Sequence, residues 1–303
     1  MTVRAIIDVG TNSTKMLVVD GDTDVLRELT PMRLGEGLAS TGRLSDDAMS
    51  RTLEVIDAFA GRARELGATD ITIVGTAACR RASNTSSFAA MVRERTGCDL
   101  NVISGETEAE LSFIGALRNL PAVAGNTLVV DIGGGSTELT VGTDQPHRAL
   151  SIPIGAVTAT ESDLTTDPPR PEDLTNVIGA VQDELEEIGR LHPEMVTSRR
   201  VVGIAGTIVT IAAVELGLAE HDESALHGFV LTREAAEDVF RTLATESFAD
   251  RVRNPGLPRD RADIIVAGCC ILVALMRRLQ LDGITVSTGS LRDGIALRGK
   301  LSP

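Results

Sequence analysis

Apolar residues along the 303-residue chain fall either in short continuous runs or in longer segments where they recur every three or four positions. The runs predict buried strands and the longer segments predict helices. Strands are predicted at residues 71–76, 100–104, 200–205 and 283–287. Helices are predicted at residues 45–66, 85–96, 106–117, 171–191, 208–216, 232–246 and 261–278, with a final turn and helix over 287–300. Strands that alternate with helices indicate an α/β fold.

Two segments resemble each other: DVGTNSTKMLVVDG at residues 8–21 and DIGGGSTELTVG at residues 131–142. In each, an apolar strand ends in Asp, a turn of small residues follows, and a second strand begins. This internal repeat predicts two similar hairpins in two related domains. The Pro- and Gly-containing segment 120–125 is the natural hinge. We therefore expect domains at residues 1–122 and 123–303, with the final helix, about residues 290–303, packing back on the first.

The formal net charge of −14 argues against DNA or RNA as a partner, because non-specific nucleic-acid binding requires a basic surface. An acidic protein that binds a polyanion needs local positive charge. A divalent cation, backbone N–H groups or a few inward-facing arginines can supply it.

The longest apolar stretch, residues 264–276, is too short to cross a bilayer and predicts a buried helix rather than a membrane partner. The apolar run before Asp8 is too brief for a signal peptide. The four cysteines form no CxxC pair, so neither a zinc site nor a disulfide framework is indicated. We expect a reduced, cytoplasmic protein.

The turns of the two hairpins combine glycines with small hydroxyl and amide residues, so the backbone can approach a ligand and aim several N–H groups at one point. Such a nest favours phosphate oxygens. One loop of this kind is also typical of a tight β-turn, but a repeated pair favours a phosphate site with the hairpins facing each other across a cleft. The candidate phosphate-binding residues are Gly10, Thr11, Asn12, Ser13, Gly133, Gly134, Gly135 and Ser136.

Three acidic residues accompany these turns, namely Asp8, Asp131 and Glu138. Carboxylates would repel phosphate unless a cation lay between them. Mg²⁺ is usually held by one or two carboxylates together with phosphate oxygens and water. The three acids are therefore candidate ligands of Mg²⁺ or another divalent cation. The alternative is that they cap or pair with basic groups nearby.

The chain resembles the exopolyphosphatase and guanosine pentaphosphate phosphohydrolase family, a branch of the acetate kinase, sugar kinase, Hsp70 and actin superfamily. The resemblance covers essentially the whole chain and implies two ribonuclease H-like domains flanking a central catalytic cleft, in the short two-domain form. The motifs that carry it, in order, are DVGTNSTK, TAACRRASN, ISGETEAEL, DIGGGSTEL, GIAGTIVT, HGFVLT and STGSLRDG.

The resemblance implies two catalytic residues. It makes Glu108 the general base, since hydrolysis needs a water molecule that is oriented and partly deprotonated in line with the terminal phosphorus. It places Arg80 near the substrate phosphates, where a guanidinium can form paired hydrogen bonds. Glu106 and Glu110 also lie near the start of the predicted helix, where acids are favoured by the helix dipole. Spacing alone does not choose among the three glutamates.

A third turn of small residues, around Gly206 and Thr207, lies between a predicted strand and a predicted helix. Thr207 can offer N–H and hydroxyl donors to an anion. A compact connection is an equally good interpretation. The roles of Arg261, Arg292 and His227 stay open at this point.

The sequence therefore predicts an exopolyphosphatase that releases orthophosphate from the end of polyphosphate, with a preference for short chains and with Mg²⁺. Hydrolysis of guanosine pentaphosphate is the alternative, and the absence of Trp and Tyr favours polyphosphate. A phosphotransferase is disfavoured by the ISGxxEA glutamate, and a non-catalytic regulator that binds polyphosphate or alarmone is disfavoured by the intact acids. The resemblance also allows a homodimer.

Overall fold

The computed structural model describes residues 2–198 and 200–299. The outer ends of the predicted domains, residues 1 and 303, and residue 300 of the predicted last helix lie outside this part of the chain. The described residues form eleven strands. They are β1 (Val3–Val9), β2 (Ser13–Asp20), β3 (Thr23–Pro31), β4 (Asp70–Gly75), β5 (Leu100–Val102), β6 (Thr127–Ile132), β7 (Thr137–Gly142), β8 (Pro146–Ile152), β9 (Arg200–Ile204), β10 (Val230–Thr232) and β11 (Gly283–Val286).

Thirteen α-helices lie among the described residues. They are α1 (Leu38–Thr41), α2 (Asp46–Glu65), α3 (Ala77–Arg81), α4 (Thr85–Thr96), α5 (Gly105–Ala116), α6 (Ala156–Asp163), α7 (Pro171–Leu191), α8 (Ala205–Glu215), α9 (Glu223–Leu226), α10 (Arg233–Thr245), α11 (Phe248–Arg251), α12 (Ile265–Arg278) and α13 (Leu291–Arg298). The predicted long helices are confirmed.

The strands form two sheets built on one plan. The first has the order β3-β2-β1-β4-β5 and the second the order β10-β11-β9-β6-β7-β8. In each, three consecutive strands pair antiparallel, and two further strands then extend the sheet parallel to the first of the three. In the second sheet, β10 adds antiparallel to β11 at the edge. The predicted α/β fold with two ribonuclease H-like sheets is confirmed.

The repeat extends to the register of the two hairpins. Asp8 lies opposite Lys15 in the β1–β2 pair, and Asp131 lies opposite Glu138 in the β6–β7 pair. The turns close in the same way, because the Gly10 N–H donates to the Ser13 carbonyl at 3.1 Å and the Gly133 N–H donates to the Ser136 carbonyl at 2.9 Å. The two loops therefore close with equivalent backbone hydrogen bonds. They differ in the charged residue opposite the aspartate, which is Lys15 in the first hairpin and Glu138 in the second.

Contact clustering divides the chain into two compact units. One runs to Gly115 and resumes at Leu291, and the other spans Ala116–Ser290. In the first unit, α13 approaches α5 so closely that a Cβ on Gly294 would overlap the Leu111 carbonyl. The chain thus leaves the first unit near the end of α5 and returns to it at α13.

The core of the second unit surrounds α12. Every residue of this helix from Ile265 to Met276 is buried, and α12 contacts α6, α7, α8 and α10. A helix enclosed on all sides must be apolar all round, which explains the continuous hydrophobic run. The predicted buried helix is confirmed. Among the described residues, no helix combines the length and apolar character that a membrane span requires.

Several short or half-exposed elements are not foreseen from the sequence. The strands β3 and β8 lie at sheet edges, and nearly all of their residues are exposed or only partly buried, so they lack a continuous buried apolar run. The predicted strand over 200–205 ends one residue early, because Ala205 has a φ of 67° and begins α8. This junction matters for the site described next.

Candidate functional site

Backbone hydrogen bonds fix the orientation of the first hairpin loop. The Thr11 carbonyl accepts from the Gly35 N–H at 2.9 Å, and the Asn12 carbonyl accepts from the Arg33 N–H at 2.9 Å. In a trans peptide the N–H points opposite to the C=O. The N–H groups of Asn12 and Ser13 therefore point away from the segment that anchors the loop. This is the arrangement needed to present donors to an anion.

The second hairpin loop is anchored differently but to the same effect. The Gly133 carbonyl accepts from the Ala156 N–H at 2.9 Å, and the Gly134 carbonyl accepts from the Val157 N–H at 2.8 Å. The start of α6 thus satisfies its own unpaired amides with loop carbonyls. The N–H groups of Gly134 and Gly135 consequently point away from α6.

Gly155, the residue before α6, packs against this loop, a contact that the sequence did not predict. A Cβ at this position would lie 2.5 Å from both the Gly134 carbonyl oxygen and the Ser136 nitrogen. Any side chain would therefore separate the helix from the loop. Gly155 lies about twenty residues along the chain from its partners, so only the folded structure reveals the contact.

The second hairpin holds two carboxylates side by side. Directly opposed residues of an antiparallel pair lie on the same face, with Cβ atoms about 4.5–5.5 Å apart, and Asp131 and Glu138 are such a pair. Glu138 is 2% exposed, and its Oε1 accepts from the hydroxyls of Ser136 at 2.6 Å and Ser151 at 2.8 Å. The predicted phosphate residue Ser136 thus directs its hydroxyl to Glu138. Ser151, on β8, was not predicted.

The first hairpin pairs an acid with a base instead. Asp8 is 6% exposed, its Oδ2 lies 3.9 Å from the Lys15 Nζ, and its buried Oδ1 has no hydrogen-bond partner among the described residues. Lys15 occupies the position that Glu138 has in the second hairpin. The first hairpin therefore places an acid opposite a base, whereas the second places two acids opposite each other.

No group of three or more His, Cys, Asp or Glu side chains is placed to hold a metal ion in the part of the chain that the structure describes. Mg²⁺ does not require such a group, because it keeps several waters and binds one or two carboxylates plus substrate phosphates. The hard oxygen donors of Asp131 and Glu138, adjacent on one sheet face, fit that requirement. In the first unit, considered by itself, the unpartnered Oδ1 of Asp8 is an oxygen that a cation can satisfy.

Arg80 and Glu108 form an ion pair in the first unit. The Arg80 Nη1 donates to the Glu108 Oε2 and also to the Ile103 carbonyl at 3.2 Å. Their side chains are 20% and 12% exposed. Arg80 lies on α3, which follows β4, and Glu108 lies on α5, which follows β5. Because β1, β4 and β5 are parallel, these residues lie at the carboxyl edge of the sheet, where ligands bind in open α/β folds.

Cys79 shows that Asp8 belongs to the same group. Burial raises the pKa of the Cys79 thiol to about 12, with Arg80 opposing the shift and the charges of Asp8 and Glu108 adding to it. The charges of Asp8, Arg80 and Glu108 thus all act on this buried sulfur. Gly75 permits the arrangement, because a Cβ there would lie 2.8 Å from the Cys79 sulfur.

The three glutamates at the start of α5 have different partners. Hydrogen bonds from its own backbone N–H and from the Ser104 hydroxyl lower the pKa of the exposed Glu106 carboxyl. Glu110 lies 3.5 Å from the Arg298 guanidinium. Glu108 is the glutamate that bonds Arg80, so the geometry separates three acids that spacing leaves equivalent.

The turn from β9 to α8 contains a strained residue and lies against an arginine side chain from another segment. Ala205 has a φ of 67°, a left-handed conformation that costs a non-glycine residue about 1–2 kcal/mol. At the next residue, Gly206, a Cβ would overlap the Arg261 guanidinium, and Thr207 beside it is 4% exposed. Burial lowers the pKa of the Arg261 guanidinium. The structure thus brings Gly206, Thr207 and Arg261 together.

Two residues whose roles the sequence left open make other contacts. The Arg292 Nη1 donates to the Met16 carbonyl of β2 at 2.8 Å, and Arg292 is 8% exposed. The His227 Nδ1 lies 3.1 Å from the Thr288 Oγ1. Arg292 therefore supports the first hairpin from α13, and His227 supports the loop that precedes α13.

Comparison with known proteins places these features in context. The model of the Ppx/GppA phosphatase family matches residues 7–302. Exopolyphosphatase 2 of Mycobacterium tuberculosis is 34% identical, with 98% of each chain covered. Guanosine-5'-triphosphate,3'-diphosphate pyrophosphatase of Vibrio atlanticus is 31% identical over 96% of this chain and 58% of that protein. The crystal structure of an Aquifex aeolicus Ppx/GppA family member aligns with a TM-score of 0.82, 28% identity and 99% of each chain covered.

Proposed function

The chain belongs to the Ppx/GppA phosphatase family, and on that premise we propose that it is an exopolyphosphatase that hydrolyses the terminal phosphoanhydride of inorganic polyphosphate. The observation that carries the proposal is the Arg80–Glu108 pair at the sheet edge that also bears the first phosphate loop. The guanidinium fixes the direction of the carboxylate, which in our proposal orients a water molecule beside a bound phosphate and accepts its proton.

In the proposed reaction, Glu108 accepts a proton from a water molecule as its oxygen attacks the terminal phosphorus. The bond from that phosphorus to the bridging oxygen breaks, orthophosphate is released, and the shortened chain keeps the bridging oxygen. Arg80 holds Glu108, and in our proposal its guanidinium also binds a phosphate oxygen. Reactions of this kind depend mainly on positioning and charge stabilisation, which preorganised donors provide.

Uncharged backbone N–H groups can bind the phosphate chain without altering the net negative charge of the protein. We assign the backbone N–H groups of the two hairpin loops to this role, with residues Gly10, Thr11, Asn12, Ser13, Gly133, Gly134, Gly135 and Ser136. Gly206, Thr207 and Arg261 form a further contact for phosphate. The close approach of Arg261 to Gly206 supports this assignment, because Arg261 adds a positive charge beside the amides at the start of α8.

A divalent cation, Mg²⁺ in our proposal, is held by Asp131 and Glu138, with Asp8 as the third candidate ligand. Such an ion neutralises phosphate charge that an acidic protein would otherwise repel. The Ser136 and Ser151 hydroxyls fix the direction of the Glu138 carboxylate, and Asp131 is its cross-strand partner. Lys15 makes Asp8 the weaker of the three ligands, because the lysine already offsets its charge.

The direct test measures phosphate release from short polyphosphate, long polyphosphate, guanosine pentaphosphate and ATP, each with and without Mg²⁺. We expect Mg²⁺-dependent release with the highest kcat/KM on short polyphosphate. The proposal fails if polyphosphate yields no orthophosphate under conditions in which another of these substrates does.

Guanosine pentaphosphate is the second candidate substrate, and the named activity of the Vibrio atlanticus relative favours its inclusion. It ends in the same phosphoanhydride, so the same residues would act on it. A kcat/KM higher for guanosine pentaphosphate than for any polyphosphate would select this function. Tight polyphosphate binding without any release would instead indicate a non-catalytic regulator.

We place the enzyme in the cytoplasm. All four cysteines, Cys79, Cys98, Cys269 and Cys270, are free thiols, which is typical of a reducing compartment. Localisation of a tagged full-length chain by fractionation tests this. The homodimer that the family resemblance allows stays a prediction, and analytical ultracentrifugation tests it.

A further inference from the structure

Arg251 is a buried charged residue in the second unit that the proposed reaction does not use. Its side chain is 4% exposed. Its Nη1 donates to the Ala262 carbonyl at 2.7 Å, its Nε donates to the Glu246 carbonyl at 3.2 Å, and its Nη2 pairs with the Asp167 carboxylate. Each of the three guanidinium nitrogens of Arg251 thus bonds a neighbouring segment.

Asp167 connects this guanidinium to the next segment. Its second carboxylate oxygen accepts from the Phe248 N–H at 2.7 Å, at the start of α11. The Phe248 ring in turn lies 5.7 Å below the Arg259 guanidinium. The short 3₁₀ turn Arg259–Arg261 is therefore held from both sides, by Phe248 near its start and by Arg251 immediately after its end.

That turn carries Arg261, whose guanidinium lies directly on Gly206. Arg251 bonds the carbonyl of the residue next to Arg261, so it fixes the backbone from which the Arg261 side chain extends. Misplacing a binding group by about 1 Å can cost an enzyme about 100-fold in rate. Small movements of this turn would therefore matter for phosphate binding.

The Arg251 side chain is buried, but the Asp167 side chain is 45% exposed. An ion pair with one partner at the surface contributes little to stability, because solvent screens it. The hydrogen bond to Ala262, in contrast, requires a guanidinium of this length and direction. The pair is thus better suited to fixing a backbone than to strengthening the core.

We infer that Arg251 and Asp167 are positioning residues, which hold the turn Arg259–Arg261 so that Arg261 meets substrate phosphate over Gly206. The inference rests on the proposed role of Arg261 in phosphate binding. Neither Arg251 nor Asp167 contacts the substrate, and both act through Arg261.

The test uses equilibrium binding of short polyphosphate, measured by calorimetry, together with KM and kcat. The variants are Asp167→Asn, Arg261→Ala and the two combined. Glu237→Gln is the matched control, because it removes a comparable ion pair with Arg277, whose Nε lies 2.9 Å away on α12. Binding is measured independently of turnover, so a protein that binds but does not hydrolyse polyphosphate refutes the proposed function while still testing this inference.

We expect Asp167→Asn to raise both Kd and KM about tenfold, with kcat within about twofold of the parent. Arg261→Ala raises Kd at least as much, and adding Asp167→Asn to it produces no further loss, because coupled residues are not additive. Glu237→Gln changes melting temperature but not Kd. If Asp167→Asn does not fold, Arg251→Lys takes its place in the same comparison. Additive losses, or a Kd unchanged in Asp167→Asn or in Arg261→Ala, overturn the inference.

Discussion

Gly206→Ala is a substitution that should damage binding without damaging the fold. The added Cβ would lie about 1 Å inside van der Waals contact with the Arg261 guanidinium, so the guanidinium must move by roughly that distance. The atoms that must move are the far end of a flexible side chain, which can swing away at small cost to folding. Alanine also favours the helix that begins here by about 0.5–1 kcal/mol over glycine.

The loss in binding can be estimated from the bond that is broken. A hydrogen bond to a charged group contributes about 1.5–3 kcal/mol, and each 1.4 kcal/mol corresponds to about a tenfold change in affinity. We therefore expect KM for polyphosphate to rise about 10- to 100-fold, with kcat less affected and the melting temperature unchanged or higher.

The assay is phosphate release over a range of polyphosphate concentrations, combined with thermal unfolding. Gly179→Ala is the matched control, because Gly179 lies inside α7 and a Cβ there meets nothing within 4 Å. It should raise stability slightly and leave KM unchanged. A KM for Gly206→Ala within twofold of the parent would refute the placement of phosphate at Arg261.

Four further substitutions test other parts of the site. Glu108→Gln should lower turnover by about 10²- to 10⁴-fold and leave polyphosphate binding intact, because it removes the proton acceptor but not the loops; near-normal turnover contradicts the assignment. Glu138→Gln should raise the Mg²⁺ concentration for half-maximal activity at least about tenfold, and an unchanged Mg²⁺ dependence argues against this ligand. Gly155→Ala should destabilise the fold by about 1–3 kcal/mol and lower activity, so an unchanged melting temperature would contradict the packing of α6 on the loop. Ala205→Gly should raise the free energy of unfolding by up to about 1 kcal/mol by relieving the left-handed strain. A lower free energy of unfolding, measured by urea denaturation, would show that no strain is stored there.

Much of the fold could be predicted because its central strands are short, continuous apolar runs. The same property makes the hairpin repeat visible, since Asp8 and Asp131 end equivalent strands. The edge strands β3 and β8 could not be found in this way. Nearly all of their residues are exposed or only partly buried, so packing against a single neighbour, rather than a hydrophobic run, defines them.

The site is less visible in the sequence because contacts distant in the chain complete it. Ser151 and Gly155 lie beside the second loop only after β8 and α6 fold back. Arg261 and Gly206 contact each other in the structure, but no sequence pattern links the two segments that contain them. Glu108 illustrates the limit, because three glutamates have equivalent spacing and the family resemblance alone selects one of them. Its ion pair with Arg80 agrees with that choice, while its role as a base stays a proposal.

The buried thiol of Cys79, which the charges of Asp8 and Glu108 influence, offers a chemical probe of local opening in the first unit. Burial keeps Cys79 protonated and unreactive at neutral pH, whereas Cys98 is partly exposed. A thiol reagent should therefore modify Cys98 at once and Cys79 only when the junction of β4 and α3 opens. The labelling rate of Cys79 would then measure how often this junction opens at the sheet edge that bears Arg80 and Glu108, and a ligand that rigidifies this edge would slow the labelling.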